Sequence, residues 1–261
     1  MYIDMNFRRL IGTALLVLFI FVPAAAKDRV KIAEENSSAV VAINVLRSDA
    51  STFTGTGFLV SSDGLIATTH HVTEDALYMN ITFNTGAVSG QATPLALNKE
   101  VDLALLKIDA QNLPTVKMAD SDYVLPGQEI TVIGNPRRLQ NTVSSGIISQ
   151  VRKKSNGVLW HQISAPISPS SSGSPVFNED GFVIGIAFGS YKGEGNQNLN
   201  FAVPSNYLAK MIENAGYIPP LQEWEELPPQ QPSVWDKINN HLRLCWNSLC
   251  NLFKHNQQQA Q

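Results

Sequence analysis

The sequence predicts an all-β protein, and three observations support that class. From Val40 onward the apolar residues fall into short runs of strand length, rich in Val, Ile and Phe. Clusters of Gly, Asn, Asp, Ser and Pro separate these runs at close spacing. Strands do not alternate with helices along the chain, which disfavours a parallel α/β sheet. Short strands spaced in this way build a barrel or a sandwich.

The first element in order precedes the strands. Residues 1–26 read as a secretory leader. Arg8 and Arg9 form a basic start, and Leu10 to Val22 is an apolar stretch of 13 residues, short for a bilayer span. Pro23 and Ala24-Ala25-Ala26 then supply a small-residue cleavage site. The remainder is expected to be exported, either periplasmic or secreted. An uncleaved membrane anchor is the rival reading of the same residues.

Strands follow at Val40 to Leu46, Phe58 to Val60, Tyr78 to Phe83, Leu103 to Ile108, Ile130 to Ile133, Val143 to Ile148, Val158 to Ile163, Val183 to Ala187 and Leu199 to Val203. Turns are marked by Ser62-Asp63-Gly64, Asn84-Thr85-Gly86, Pro126-Gly127, Gly134-Asn135-Pro136, Ser155-Asn156-Gly157 and Glu179-Asp180-Gly181. Ser205 is placed to cap a helix through Ala215, with Leu208, Met211 and Ile212 on one face and Gly216 ending it. Residues 216–232 hold Pro219-Pro220 and Pro228-Pro229 and read as an extended linker. Over 233–254, Trp235, Ile238, Leu242, Cys245, Leu249 and Leu252 recur at steps of three and four, the pattern of an amphipathic helix. The Gln-rich end, 255–261, reads as disordered.

A formal net charge of −3 offers no electrostatic footprint for nucleic acid. Both cysteines, Cys245 and Cys250, lie in the tail helix, so the β-rich body must be held by core packing rather than by disulfides. Five residues of regular helix separate them by about 7.5 Å of rise, which suits an intrahelical disulfide poorly. Intermolecular pairing, free thiols and a broken helix stay open. The apolar stripe of that helix fits self-association, docking on the body or contact with a membrane surface.

Chemistry enters with three residues, each in a phrase suited to one task. His71 stands in Ala67-Thr68-Thr69-His70-His71-Val72. Asp102 opens Asp102-Leu103-Ala104-Leu105-Leu106-Lys107-Ile108, 31 residues later. Ser172 lies in the small-residue run Ser168-Pro169-Ser170-Ser171-Ser172-Gly173-Ser174-Pro175. A serine hydroxyl is a poor nucleophile until a base takes its proton, and the base needs a carboxylate to fix its tautomer. A base, an orienting carboxylate and a nucleophile are thus all present. On composition alone His70 competes with His71.

These phrases resemble the trypsin-like serine proteases, and most closely their HtrA (Deg) branch. Two further phrases join them, Gly55-Thr56-Gly57-Phe58-Leu59-Val60 and Asn200-Phe201-Ala202-Val203-Pro204-Ser205. The likeness runs over roughly residues 37–215, and the His-Val register favours His71 over His70. It implies a chymotrypsin-like pair of six-stranded barrels, the first at about 37–112 and the second at about 123–204. It implies polypeptide substrates and neither a metal nor an organic cofactor. Ser172 then attacks, His71 shuttles the proton, Asp102 orients His71, and the N–H groups of Ser170 and Ser172 form the oxyanion hole. Pro166, Ala187, Phe188 and Gly189 would line the specificity pocket. With no acid at Pro166, a small to medium apolar side chain is the expected preference.

Three departures from the HtrA pattern stand out. The stretch from Gly216 is too short for the PDZ domain that usually follows the protease. Ser174 replaces a glycine. Ser170 stands where the family places glycine, and a side chain forced to positive φ there costs about 1–2 kcal/mol. That strain is expected to bias the turn toward a collapsed hole, and it keeps a second reading open: a catalytically weak binding module for polypeptides. A serine esterase is disfavoured, because no Gly-x-Ser-x-Gly surrounds Ser172.

Overall fold

A computed structural model describes residues 28–135, 141–190 and 199–217. The expected leader, the linker beyond Tyr217, the amphipathic helix at 233–254 with its two cysteines, and the Gln-rich end lie outside the described residues.

Short apolar runs, buried along most of their length, form the central strands of the first sheet. Its strands are β1 (Val40–Arg47), β2 (Thr52–Leu59), β3 (Leu65–Thr68), β4 (Ala76–Thr82), β5 (Val88–Gln91), β6 (Thr93–Asn98) and β7 (Leu103–Lys107). They are ordered β5-β4-β1-β2-β3-β7-β6, all antiparallel. Val41, Ile43, Phe58, Leu59, Ile66, Leu105 and Leu106 fill the interior without exposure.

Seven strands replace the six expected, for a simple reason. β5 and β6 are two halves of one strand that corners at Ala92. The first half pairs with β4 and the second with β7. Ala92 is buried at the bend, and its N–H donates to the Met79 carbonyl at 2.8 Å. The sheet curls round through this corner rather than through a lateral pairing of β5 with β6.

The second sheet is a closed barrel in the order β10-β13-β12-β11-β8-β9. Its strands are β8 (Glu129–Gly134), β9 (Thr142–Lys153), β10 (Leu159–Ile163), β11 (Pro175–Phe177), β12 (Val183–Ser190) and β13 (Asn200–Pro204). Its core holds Ile130, Val132, Ile148, Ile163, Val176, Ile184, Ala187 and Ala202.

Among the described residues three α-helices flank the sheets: α1 (Arg29–Asn36), α2 (His70–Thr73) and α3 (Ser205–Asn214). The helix expected from Ser205 is present, buries Leu208, Met211 and Ile212, and gives way to Gly216 at φ 65°. Ser205 is not its cap, however. Pro204 holds that position, and the Ser205 hydroxyl donates instead to the Ala119 carbonyl at 2.8 Å. That contact pins α3 to the second barrel.

His161 on β10 is a buried titratable group that takes no part in the site below. With Ile163 it lies on the buried side of its strand, 1% exposed, and its Nδ1 has no hydrogen-bond partner. Burial lowers its pKa from 6.5 to about 4. Between those values the unfolded chain takes up a proton that the folded chain refuses. The stability held above pH 6.5 therefore falls as the pH drops and is fully lost below about 4. The span corresponds to about 3 kcal/mol. Thermal melts from pH 7 to 4 should fall less steeply for His161→Phe than for the wild type. Parallel curves would show that His161 is not buried neutral.

Candidate active site

The first sheet positions a base and a carboxylate. β3 runs into α2, whose first two residues are His70 and His71, and Asp102 sits directly before β7. β3 and β7 are paired, with Thr68 opposite Ala104, so the two residues emerge side by side. Asp102 then makes three hydrogen bonds to α2. Its carboxylate accepts from His71 Nδ1 at 2.7 Å and from the His71 N–H at 2.9 Å, and its carbonyl accepts from the His70 N–H at 3.2 Å. A carboxylate only accepts, so the ring proton lies on Nδ1 and the Nε2 lone pair is free to act as a base. Asp102 pays for this grip with a left-handed backbone, φ 56°, a conformation that aspartate tolerates better than most residues. His71 and Asp102 are 36% and 27% exposed, so their pairing serves orientation more than stability. Behind them, Arg47 donates to the His71 carbonyl at 3.2 Å.

The Gly-Thr-Gly phrase of β2 makes room for this arrangement. A Cβ on Gly55 would lie 2.6 Å from the Val72 side chain, and one on Gly57 would lie 2.8 Å from Ile43. The two glycines let α2 and the first core close against the strand.

The second barrel supplies the turn that carries Ser172, the expected nucleophile, between β10 and β11. Gly173 N–H donates to the Ala187 carbonyl at 2.7 Å, and Ala187 N–H donates back to the Ser174 carbonyl at 2.9 Å. Ser171 N–H is taken by Ser168 and Ser174 N–H by Ser171, each at 3.0 Å. Among the described residues, the N–H groups of Ser170 and Ser172 donate to no protein acceptor. Those are the two expected to form the oxyanion hole. Ser170 has φ 74°. The turn thus takes the left-handed shape despite its side chain, rather than the collapse anticipated from the missing glycine. The Ser172 hydroxyl donates to the Phe188 carbonyl at 3.3 Å and has no hydrogen bond to His71.

The residues expected to line a specificity pocket divide. Phe188 lies beside the nucleophile through that carbonyl, and its ring packs on Trp160 and Phe201 at centroid distances of 4.8 and 6.3 Å. A Cβ at Gly189 would meet nothing within 4 Å among the described residues. Ala187 is fully buried in the second core and offers the turn only its backbone. Pro166 is exposed, with its carbonyl accepting from Ser144 Oγ at 3.1 Å, while the neighbouring Ile167 packs on the second core. Trp160 and Phe201 were not singled out by the sequence. Their outward positions on β10 and β13 are the one signal that pairs them.

In sequence and fold the chain is similar to known serine proteases. The chain is 38% identical over 164 residues to a probable periplasmic serine endoprotease DegP-like from Chlamydia pneumoniae, covering 61% of this chain and 33% of the relative. It is 36% identical over 168 residues to a putative serine protease HhoB from Synechocystis sp., covering 62% of this chain and 40% of that one. The chain therefore spans about a third of the length of the first of these relatives. Among solved structures, the HtrA-type protease AlgW with tripeptide matches at TM-score 0.67 and 27% identity, covering 72% of this chain and 63% of that one. The serine endoprotease from Yersinia pestis matches at TM-score 0.64 and 30% identity, covering 73% and 67%. The profile of the trypsin-like peptidase domain family matches residues 55–186, from the Gly-Thr-Gly strand through the nucleophile turn into β12, and the chain belongs to that family.

Proposed function

We propose that the chain is an exported serine endopeptidase that cleaves polypeptides, unfolded or damaged proteins among them, by an acyl-enzyme route. One observation carries the reading: His71 is locked by Asp102 at 2.7 Å with Nε2 left as a base. The free N–H groups of Ser170 and Ser172 on the nucleophile turn support it. The periplasmic name of the Chlamydia relative and the leader-like residues 1–26 support export.

The chemistry begins with a rotation. The Ser172 hydroxyl leaves the Phe188 carbonyl and turns toward His71. Its proton passes to Nε2 as Oγ bonds to the scissile carbonyl carbon. The carbonyl oxygen gains the negative charge and is met by the two N–H groups. Collapse breaks the C–N bond, and the imidazolium returns its proton to the leaving amine. Water then repeats the sequence on the ester. Asp102 holds the imidazolium throughout and keeps its own charge.

The resting hydroxyl, bonded to Phe188 and not to His71, favours a second reading, a weak or inactive protease fold that binds polypeptides. Catalytic hydrogen bonds often tighten only once substrate is bound, and a fluorophosphonate probe separates the two readings. The endopeptidase reading expects stoichiometric labelling that maps to Ser172 and is absent from Ser172→Ala. A folded wild type that neither labels nor hydrolyses casein establishes the binding module instead.

A further inference from the structure

β3 pairs with β2 only at Phe58 and Leu59, so beyond that point β2 has no neighbouring strand on this side. The nucleophile turn occupies the place, and Thr56 receives it. Thr56 N–H donates to the Ser172 carbonyl at 2.9 Å, and Thr56 Oγ1 donates to the Ser170 carbonyl at 2.8 Å. The Asn135 N–H donates to the same Oγ1 at 3.0 Å. Since that N–H can only donate, the hydroxyl accepts from Asn135 and spends its own hydrogen on Ser170. Thr68 Oγ1 completes the set, donating to the Thr56 carbonyl at 2.7 Å. Thr56 itself is fully buried.

We propose that Thr56 is a positioning residue for acyl transfer, aiming the N–H groups of Ser170 and Ser172 by holding the carbonyls of those same two residues. The proposal rests on the endopeptidase reading above. Its physical core is the left-handed Ser170. A strained backbone persists only where its surroundings over-determine it, and the Thr56 hydroxyl holds the carbonyl on the far side of that residue. Without the hydroxyl the peptide after Ser170 keeps only the bond from Ser171 N–H to the Ser168 carbonyl at 3.0 Å. The left-handed φ of Ser170 then relaxes, and the Ser170 N–H on the other side of that residue is misaimed part of the time. A donor removed outright costs about 10²- to 10³-fold in rate. One misaimed for part of the time should cost about 10- to 100-fold in kcat. KM should stay within about twofold, because a fully buried side chain cannot touch substrate.

The test is steady-state hydrolysis of a short peptide by Thr56→Val, which keeps the shape and loses the hydroxyl, beside Thr56→Ser, which keeps the hydroxyl. Fluorophosphonate titration counts competent molecules in each preparation. The expected result is the kcat loss above for Val, with Ser within about threefold of wild type. An unchanged kcat in folded Thr56→Val overturns the proposal. Equal losses in both variants overturn it too, since they point to shape rather than to the hydroxyl. If Thr56→Val does not fold, Thr56→Cys replaces it, because a thiol is a weak donor. A Cys variant as fast as Ser is then the overturning result. An inactive wild type removes the endopeptidase reading and this one with it. An active wild type beside an unimpaired Thr56→Val removes this one alone.

Discussion

Alanine at Ser172 is expected to reduce hydrolysis of casein and of small peptides by about 10⁴- to 10⁶-fold, and alanine at His71 to do the same. The effects should not add. Once the nucleophile is gone the base has nothing to activate, and a serine without its base is an ordinary alcohol. The double variant should therefore resemble either single variant. The fold should survive all three changes. The His71 ring is 36% exposed, and the Ser172 hydroxyl bonds only a carbonyl, so neither truncation opens a buried cavity. The measurement is kcat/KM for the three variants, with circular dichroism melts as the control for folding. Purified Ser172→Ala that still cleaves casein would assign the nucleophile elsewhere. Additive losses would mean that Ser172 and His71 do not act as a unit.

Gly173→Ala should be the most damaging single-methyl change in the site. Two independent constraints meet there. Gly173 has φ 91°, where an L side chain is strained by about 1–3 kcal/mol. A Cβ would also lie 1.9 Å from the Thr56 carbonyl oxygen and 2.4 Å from Thr68 Oγ1. The first of these is backbone and cannot swing aside, so the turn itself has to move. Movement breaks the paired bonds between Gly173, Ser174 and Ala187 that hold Ser172 in register. The expected outcome is a loss of about 3 kcal/mol or more in stability. Turnover should fall by about 10²- to 10³-fold through the misplaced hole. Chemical denaturation and peptide kinetics read the two effects separately. A Gly173→Ala protein with normal stability and normal kcat would mean that the turn is looser than these contacts imply.

His71, Asp102 and Ser172 were each expected from a local run of residues, and the structure brings His71 and Asp102 together at 2.7 Å while the Ser172 hydroxyl bonds the Phe188 carbonyl. The β class was legible in short Val-, Ile- and Leu-rich runs bounded by turn residues, and β1, β7 and β8 are such runs, buried along most of their length. What escaped was set by distant partners. β5 and β6 carry exposed Val88, Leu95 and Leu97 and corner at Ala92, so no clean alternation marks them. β11 is three residues long and its pairing with β8 and β12 comes from afar. Ser205 has the chemistry of a cap, yet the second barrel offered its hydroxyl a better acceptor. Ala187 counts as pocket wall by its place in the chain and as core by its burial. Thr56 was read only as part of the Gly-Thr-Gly phrase, because the groups that its hydroxyl bonds lie 79 and 114 residues further along.

The closed second barrel also sets a schedule. β13 is the last of the described strands, yet it joins β10 to β12, and β12 carries the Ala187 backbone that holds the turn around Ser172. A chain emerging from the ribosome or a translocation channel therefore presents His71, Asp102 and even Ser172 well before the ring around Ser172 can shut. Until residues near Pro204 arrive, the turn that carries Ser172 lacks its closed support. The topology builds in a delay, so the arrangement around Ser172 is complete only once all six described barrel strands have been delivered.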